Sequence, residues 1–88
     1  MAKIDQLIED IREMRNEINR RSAQRIFKML EGHKREFSGK IDSDYLELAI
    51  KTFESLSEVT SGQAETEEYK REFKKGYEGL LFHLNRIL

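Results

Sequence analysis

The stretch that decides the fold is Ile18-Asn19-Arg20-Arg21-Ser22-Ala23-Gln24-Arg25-Ile26-Phe27, because apolar residues recur at helical spacing on both sides of it. Before it, one helix face carries an apolar stripe made of Ile4, Leu7, Ile8, Ile11, Met14 and Ile18. After it, a second stripe consists of Ile26, Met29, Leu30 and Phe37. A helix that runs straight through would be very long, whereas a break would give four shorter helices and a self-sufficient monomer.

The residues inside this stretch favour a continuous helix. Between 18 and 26 there is no Gly, Pro or Asp-Gly pair, the residues that usually mark a turn. Ser22 could cap a new helix, but a capping box requires Glu or Gln where Arg25 stands. We therefore predict one long helix over about 3–37, and we place any bend or break in it near 19–22. A break stays open as the alternative, since the two stripes differ in direction by roughly 60–70°.

Two further helices follow, and each has a recognisable start. Asp42 is expected to cap a helix over about 43–60, and Thr66 a last helix over about 66–87. Proline is absent from the chain, and good helix formers are frequent. The sequence therefore predicts a single all-α domain over 1–88. Its predicted architecture is an antiparallel helical bundle that contains the long N-terminal helix and the two further helices.

Three residues stand out in the last helix. Gly76 and Gly79 lie in its interior, where each glycine costs about 1 kcal/mol relative to alanine. We expect these glycines to allow close approach of a neighbouring helix. Phe82 lies off the apolar stripe, beside His83, and this position predicts an exposed contact residue.

Composition excludes several classes of protein. The chain has no cysteine, so it has neither a disulfide framework nor a thiolate site. No apolar run approaches the roughly 20 residues that a membrane-spanning helix needs. The N-terminus, Met1-Ala2-Lys3-Ile4-Asp5, soon turns acidic and shows no signal-peptide core. We therefore expect a cytoplasmic protein without a membrane partner.

Charge is distributed unevenly, although the net charge is only −1. Residues 1–40 hold 10 Lys or Arg against 7 Asp or Glu, residues 41–68 hold 1 against 8, and residues 69–88 hold 5 against 2. The basic residues that could contact phosphate are Arg20, Arg21, Arg25, Lys28, Lys70, Arg71, Lys74 and Lys75. Pairing with the acidic middle explains them more simply, so nucleic acid is a possible partner that the sequence does not favour.

No pattern of catalytic or metal-binding residues is present. His33 and His83 are the only histidines, and neither belongs to a His-x-x-x-His or Glu-x-x-His motif. There is no glycine-rich phosphate loop, and no serine lies in a nucleophile motif. We therefore expect no catalytic residue, no metal site and no cofactor, and the protein is not expected to be an enzyme.

The length of the predicted first helix suggests a function. A helix over 3–37 would be about 52 Å long, whereas a compact chain of this size has a diameter of only about 30 Å. The first apolar stripe, from Ile4 to Ile18, would then stay bare and bind a second copy or another helical protein. The predicted function is therefore a non-catalytic protein–protein interaction or oligomerisation module. The alternative is a small nucleic-acid-associated subunit that uses the basic helix face. The sequence indicates neither a pathway nor a family.

Overall fold

The computed structural model describes residues 3–86, which form six helices and no strand. The helices are α1 (Lys3–Glu13), α2 (Arg20–Gly32), α3 (Lys34–Ser38), α4 (Ser43–Glu58), α5 (Ser61–Ala64) and α6 (Glu67–Asn85). The all-α class is therefore confirmed. The radius of gyration is 12.4 Å. Within residues 3–86, no helix combines the length and the apolar character needed to cross a bilayer.

The predicted long helix over 3–37 is wrong, because the chain interrupts it twice. The first interruption spans 14–19, earlier than the predicted 19–22, and the second falls at His33. Asn19 has an extended backbone, and its side-chain oxygen accepts a hydrogen bond from the Ser22 N–H at 2.8 Å. Asn19 is thus the cap of α2, a role that the sequence suggested for Ser22. An Asn side chain that binds its own backbone in this way competes with helix continuation.

Because of the break, the side chains of the first apolar stripe pack into the protein's own core. Ile8 and Ile11 are completely buried, Ile4 and Met14 are nearly so, and Leu7 and Ile18 pack against the same cluster. A continuous helix would have aimed the two stripes in different directions, whereas separate helices can both face inward. The argument for a bare stripe therefore no longer holds. A dimer through this stripe stays a prediction, but its buried side chains would first have to leave the core.

Helix α4 packs between α2 and α6. At one end, the Arg20 guanidinium of α2 donates to the Val59 carbonyl, 3.1 Å away, just after α4. At the other end, Lys34 pairs with Glu47, and this pairing lowers the pKa of the Glu47 carboxyl. Between α4 and α6, the ring of Phe53 meets that of Phe73 edge-on, with 5.6 Å between centroids.

The other helix starts follow simple capping rules. Asp42 and Thr66 accept hydrogen bonds from backbone N–H groups at the starts of α4 and α6, as the sequence predicts. The short helix α5 begins with a capping box between Thr60 and Gln63. The second predicted helix, over about 43–60, therefore corresponds to α4, and the single turn α5 lies just after its predicted end. The predicted end of the last helix at 87 lies outside the described residues.

Two tyrosines of α6 hold the ends of other helices. The Tyr69 hydroxyl donates to the Leu56 carbonyl at 2.7 Å, near the end of α4. The Tyr77 hydroxyl is shared between the carbonyls of Ile11 and Arg12, 2.5 and 2.9 Å away, at the end of α1. Burial raises the pKa of both hydroxyls, which are therefore held in their donating form. Helix α6 thus supplies a donor to the Leu56 carbonyl at the end of α4 and an additional, shared donor to two carbonyls at the end of α1.

We expect Tyr69→Phe to destabilise the fold more than Tyr77→Phe. Among the described residues, the Leu56 carbonyl receives no backbone donor in the turn after α4. Loss of the Tyr69 hydrogen bond should therefore lower the free energy of unfolding by about 1–3 kcal/mol. The carbonyls that Tyr77 contacts also accept from the N–H groups of Met14 and Arg15, at 3.1 and 3.3 Å. Because these carbonyls keep another donor, Tyr77→Phe should lower the free energy of unfolding by only about 0.5–1.5 kcal/mol. Urea unfolding followed by circular dichroism measures both values.

Tyr45→Phe is the matched control for both variants. Its hydroxyl makes no hydrogen bond to the protein within residues 3–86, so the same change should alter stability by less than about 0.5 kcal/mol. A loss at Tyr45→Phe equal to that at Tyr69→Phe would contradict the assigned role of the Leu56 contact.

Candidate interaction surface

Two large apolar side chains are exposed in the described part of the chain. Leu48 on α4 is 60% exposed, and Phe82 on α6 is 61% exposed. The exposure of Phe82 confirms the prediction made from its position off the stripe. Leu48 was not singled out by the sequence. It also lies off the stripe of its own helix, so the signal that identified Phe82 would have found it too.

A groove runs between α4 and α6, with Leu48 on its wall. Its volume is about 440 Å³, and most of its lining is apolar. The residues that line it are Tyr45, Leu48, Ala49, Thr52, Phe53, Glu72, Lys75, Gly76 and Gly79. Phe82 lies one helical turn after Gly79 on α6, and its ring meets that of His83, which is stacked on Tyr45 of the groove wall. We call this surface, with Leu48, Phe82 and the space between them, the α4–α6 groove.

Gly76 and Gly79 give the groove its shape. A methyl group at Gly79 would lie only 2.9 Å from the Tyr45 hydroxyl oxygen, and one at Gly76 would lie 3.2 Å from the Thr52 methyl carbon. Side chains of α4 therefore approach α6 closely at these glycines, which is the close approach that the sequence predicts. Each glycine forgoes about 1 kcal/mol of helix stability relative to alanine.

A row of aromatic rings closes one end of the groove. The rings of Tyr45 and His83 are stacked, with centroids 3.7 Å apart and an angle of 18° between planes. Phe82 meets His83 edge-on, at 5.7 Å, and the Arg86 guanidinium lies 5.8 Å from the centre of the Phe82 ring. Burial raises the pKa of the Tyr45 hydroxyl. These contacts orient the Phe82 ring, although most of its surface is exposed to solvent.

The residues predicted to contact phosphate are distributed over two helices, α2 and α6. Arg20 is engaged with the Val59 carbonyl, and Lys70 lies 3.9 Å from Glu67. Arg21 and Arg25 line a shallow cleft on α2 that also contains the carboxylate of Glu17. The remaining predicted contacts are Lys28 on α2 and Arg71, Lys74 and Lys75 on α6. Phosphate binding by any of these residues stays a prediction.

The histidines do not belong to a group of possible metal ligands. His33 has the Glu36 carboxylate 4.0 Å from its Nδ1 atom, and His83 is stacked on Tyr45. In the described part of the chain, no three His, Asp or Glu side chains come together as a cation site would require. The expectation that the protein uses no metal or cofactor stays a prediction.

No protein-family model matches the chain, and comparison with curated proteins and with solved structures finds no significant match.

Proposed function

We propose that this protein is a non-catalytic helical interaction module that forms a homodimer through the α4–α6 groove. The observation that carries the proposal is the exposure of Leu48 and Phe82 beside a groove floored by two glycines. A contiguous exposed apolar patch, unlike single exposed apolar residues, is typical of a site that another protein covers. This surface replaces the stripe from Ile4 to Ile18, whose side chains face the protein's own core.

The shape of the surface favours a second copy as its occupant. A two-fold interface brings the same patch of both subunits together, so one patch must contain both protrusions and hollows. The α4–α6 groove contains both: Leu48 and Phe82 protrude, and the space between α4 and α6 beside Gly76 and Gly79 is concave. A Phe82 ring of one copy can then insert between the helices of the other, as a knob enters a hole.

Charge and size also favour self-association. The groove is lined by one acidic and one basic residue of α6, Glu72 and Lys75. A two-fold arrangement can place each of them near its opposite in the other copy. The net charge of −1 causes little repulsion between copies. A chain of 88 residues also has a small core, so burial of further apolar surface should stabilise it.

We further infer an antiparallel bundle as the scaffold of this surface. Contacts between opposite helix ends support this arrangement: the start of α2 meets the end of α4 through Arg20, and the start of α4 meets the end of α6 through Tyr45 and His83. A cytoplasmic location is part of the proposal too. It is supported by the absence of cysteine, which suits a reducing compartment.

Phe82→Glu should weaken the homodimer at least about tenfold, since a carboxylate in an apolar contact loses more than 1.4 kcal/mol. The substitution is made at an exposed position and should leave the monomer folded. Sedimentation equilibrium over a concentration series measures the dissociation constant. Gln24→Glu is the matched control, because it adds the same charge at an exposed position on α2.

A charge exchange tests the two-fold symmetry. Lys75→Glu should weaken the dimer, and Glu72→Lys combined with Lys75→Glu should restore most of the affinity, because opposite charges then face each other again. A wild-type protein that sediments as a monomer at every concentration would overturn the proposal. Equal weakening by Phe82→Glu and Gln24→Glu would show that the contact lies elsewhere.

A further inference from the structure

A second cleft lies on the opposite flank of α6, between this helix and the connection from α1 to α2. Its volume is about 310 Å³. The residues that line it are Arg15, Asn16 and Ile18 of the connection and Phe73, Lys74, Tyr77, Glu78 and Leu81 of α6. It exists only because the first helix breaks at 14–19 and the chain then crosses α6. We call it the connection cleft.

The connection cleft has an apolar strip at its floor, although most of its lining is polar. The rings of Phe73 and Tyr77 are buried beneath it, and Ile18 and Leu81 are half-buried at its sides. Tyr77 also holds the end of α1 through its hydroxyl, so this floor is fixed to the scaffold. An apolar side chain of a ligand can therefore be covered here at little cost in ordering the protein.

The rim of the connection cleft carries two cations on facing walls. Arg15 belongs to the connection and Lys74 to α6, and within residues 3–86 neither forms a salt bridge or a side-chain hydrogen bond. The Arg15 guanidinium lies near the Tyr77 hydroxyl: burial raises the pKa of that hydroxyl, and the positive charge of Arg15 opposes the increase. Both cations are thus available to an anion that enters the cleft.

The other rim groups narrow the choice of anion. The Glu78 carboxylate repels a polyphosphate strand but can accept a hydrogen bond from an N–H group. The Asn16 side chain offers both a donor and an acceptor. The ligand that satisfies all of these groups has one carboxylate, an adjacent amide N–H and an apolar side chain. A peptide that ends in an apolar residue has this chemistry.

We propose that the connection cleft binds the C-terminal residue of a partner peptide. In this arrangement Arg15 and Lys74 hold the terminal carboxylate, Glu78 accepts from the last amide N–H, and the apolar side chain lies over Phe73 and Tyr77. The site faces away from the α4–α6 groove, so it does not depend on the proposed homodimer. Capture of a terminal carboxylate is a known mode of peptide recognition.

The test uses N-acetyl-L-phenylalanine and its C-terminal amide as probes. Methyl resonances of Ile18 and Leu81 in carbon–proton correlation spectra should shift on addition of the acid. The amide lacks the charge and should bind at least about tenfold more weakly. Arg15→Gln combined with Lys74→Gln should abolish the preference for the acid.

Arg21→Gln combined with Lys28→Gln is the matched control, because it removes the same charge from the exposed face of α2. These variants should bind the acid as the wild type does. Equal affinity for acid and amide would overturn the proposal and leave an apolar cleft without carboxylate recognition. Equal weakening by both double variants would show a general charge effect, and unshifted Ile18 and Leu81 methyls would rule out the site.

Discussion

Replacing Ile11 with glutamate is expected to unfold the chain rather than to separate a dimer. Ile11 is completely buried between α1 and the rest of the core, and its own carbonyl is held by the Tyr77 hydroxyl. A carboxylate there would lose its hydration without a described cation in the core to pair with. The expected loss exceeds about 4 kcal/mol, a large fraction of the roughly 5–10 kcal/mol typical of a domain of this size.

Circular dichroism and sedimentation together measure this outcome. Ile11→Glu should lose most of its helical signal at 25 °C or melt far below the wild type. Leu48→Glu makes a similar exchange at an exposed site and should keep the wild-type melting temperature at low protein concentration, within a few degrees. If Ile11→Glu instead melted like the wild type and only halved the mass, the stripe from Ile4 to Ile18 would be the intermolecular interface.

Much of the fold was predictable because its signals are local. Asp42 and Thr66 cap their helices through hydrogen bonds that span only three residues, and such short-range contacts can be inferred from sequence. The glycine-mediated approach of α4 and α6 and the exposure of Phe82 followed from helical spacing alone. The all-α class followed from composition and from the repeat of apolar residues.

The break at 14–19 could not be inferred in the same way. The stretch contains no Gly or Pro, and its one break signal is Asn19, which favours a cap but also occurs in helix interiors. Tertiary packing decides the break, because separate helices allow both apolar stripes to reach one core. The connection cleft depends on that break and on residues far apart in the chain, such as Arg15 and Lys74. No spacing rule brings such residues together.

Phe73→Ala is expected to have the second large effect, because Phe73 lies at the centre of the aromatic core. Its ring is 1% exposed and contacts Phe53 edge-on at 5.6 Å. It also lies 6.3 Å from the ring of Tyr69 and 6.4 Å from that of Tyr77. Truncation would leave a cavity and loosen the two tyrosines that hold α4 and α1. We expect a loss of about 3–5 kcal/mol, or roughly 15–30 °C in melting temperature.

Two further variants distinguish the effect of the cavity on stability from the effect of removing an aromatic ring. Phe73→Leu keeps most of the volume and should cost only about 1–2 kcal/mol. Phe82→Ala makes the same exchange on an exposed helix face and should change stability by less than about 0.5 kcal/mol at low protein concentration, where association is absent. Because α1 is tied to α6 through Tyr77, Phe73→Ala should also speed amide exchange in α1. Equal losses of stability in Phe73→Ala and Phe82→Ala would contradict the central position of Phe73, since removal of an exposed ring leaves no cavity.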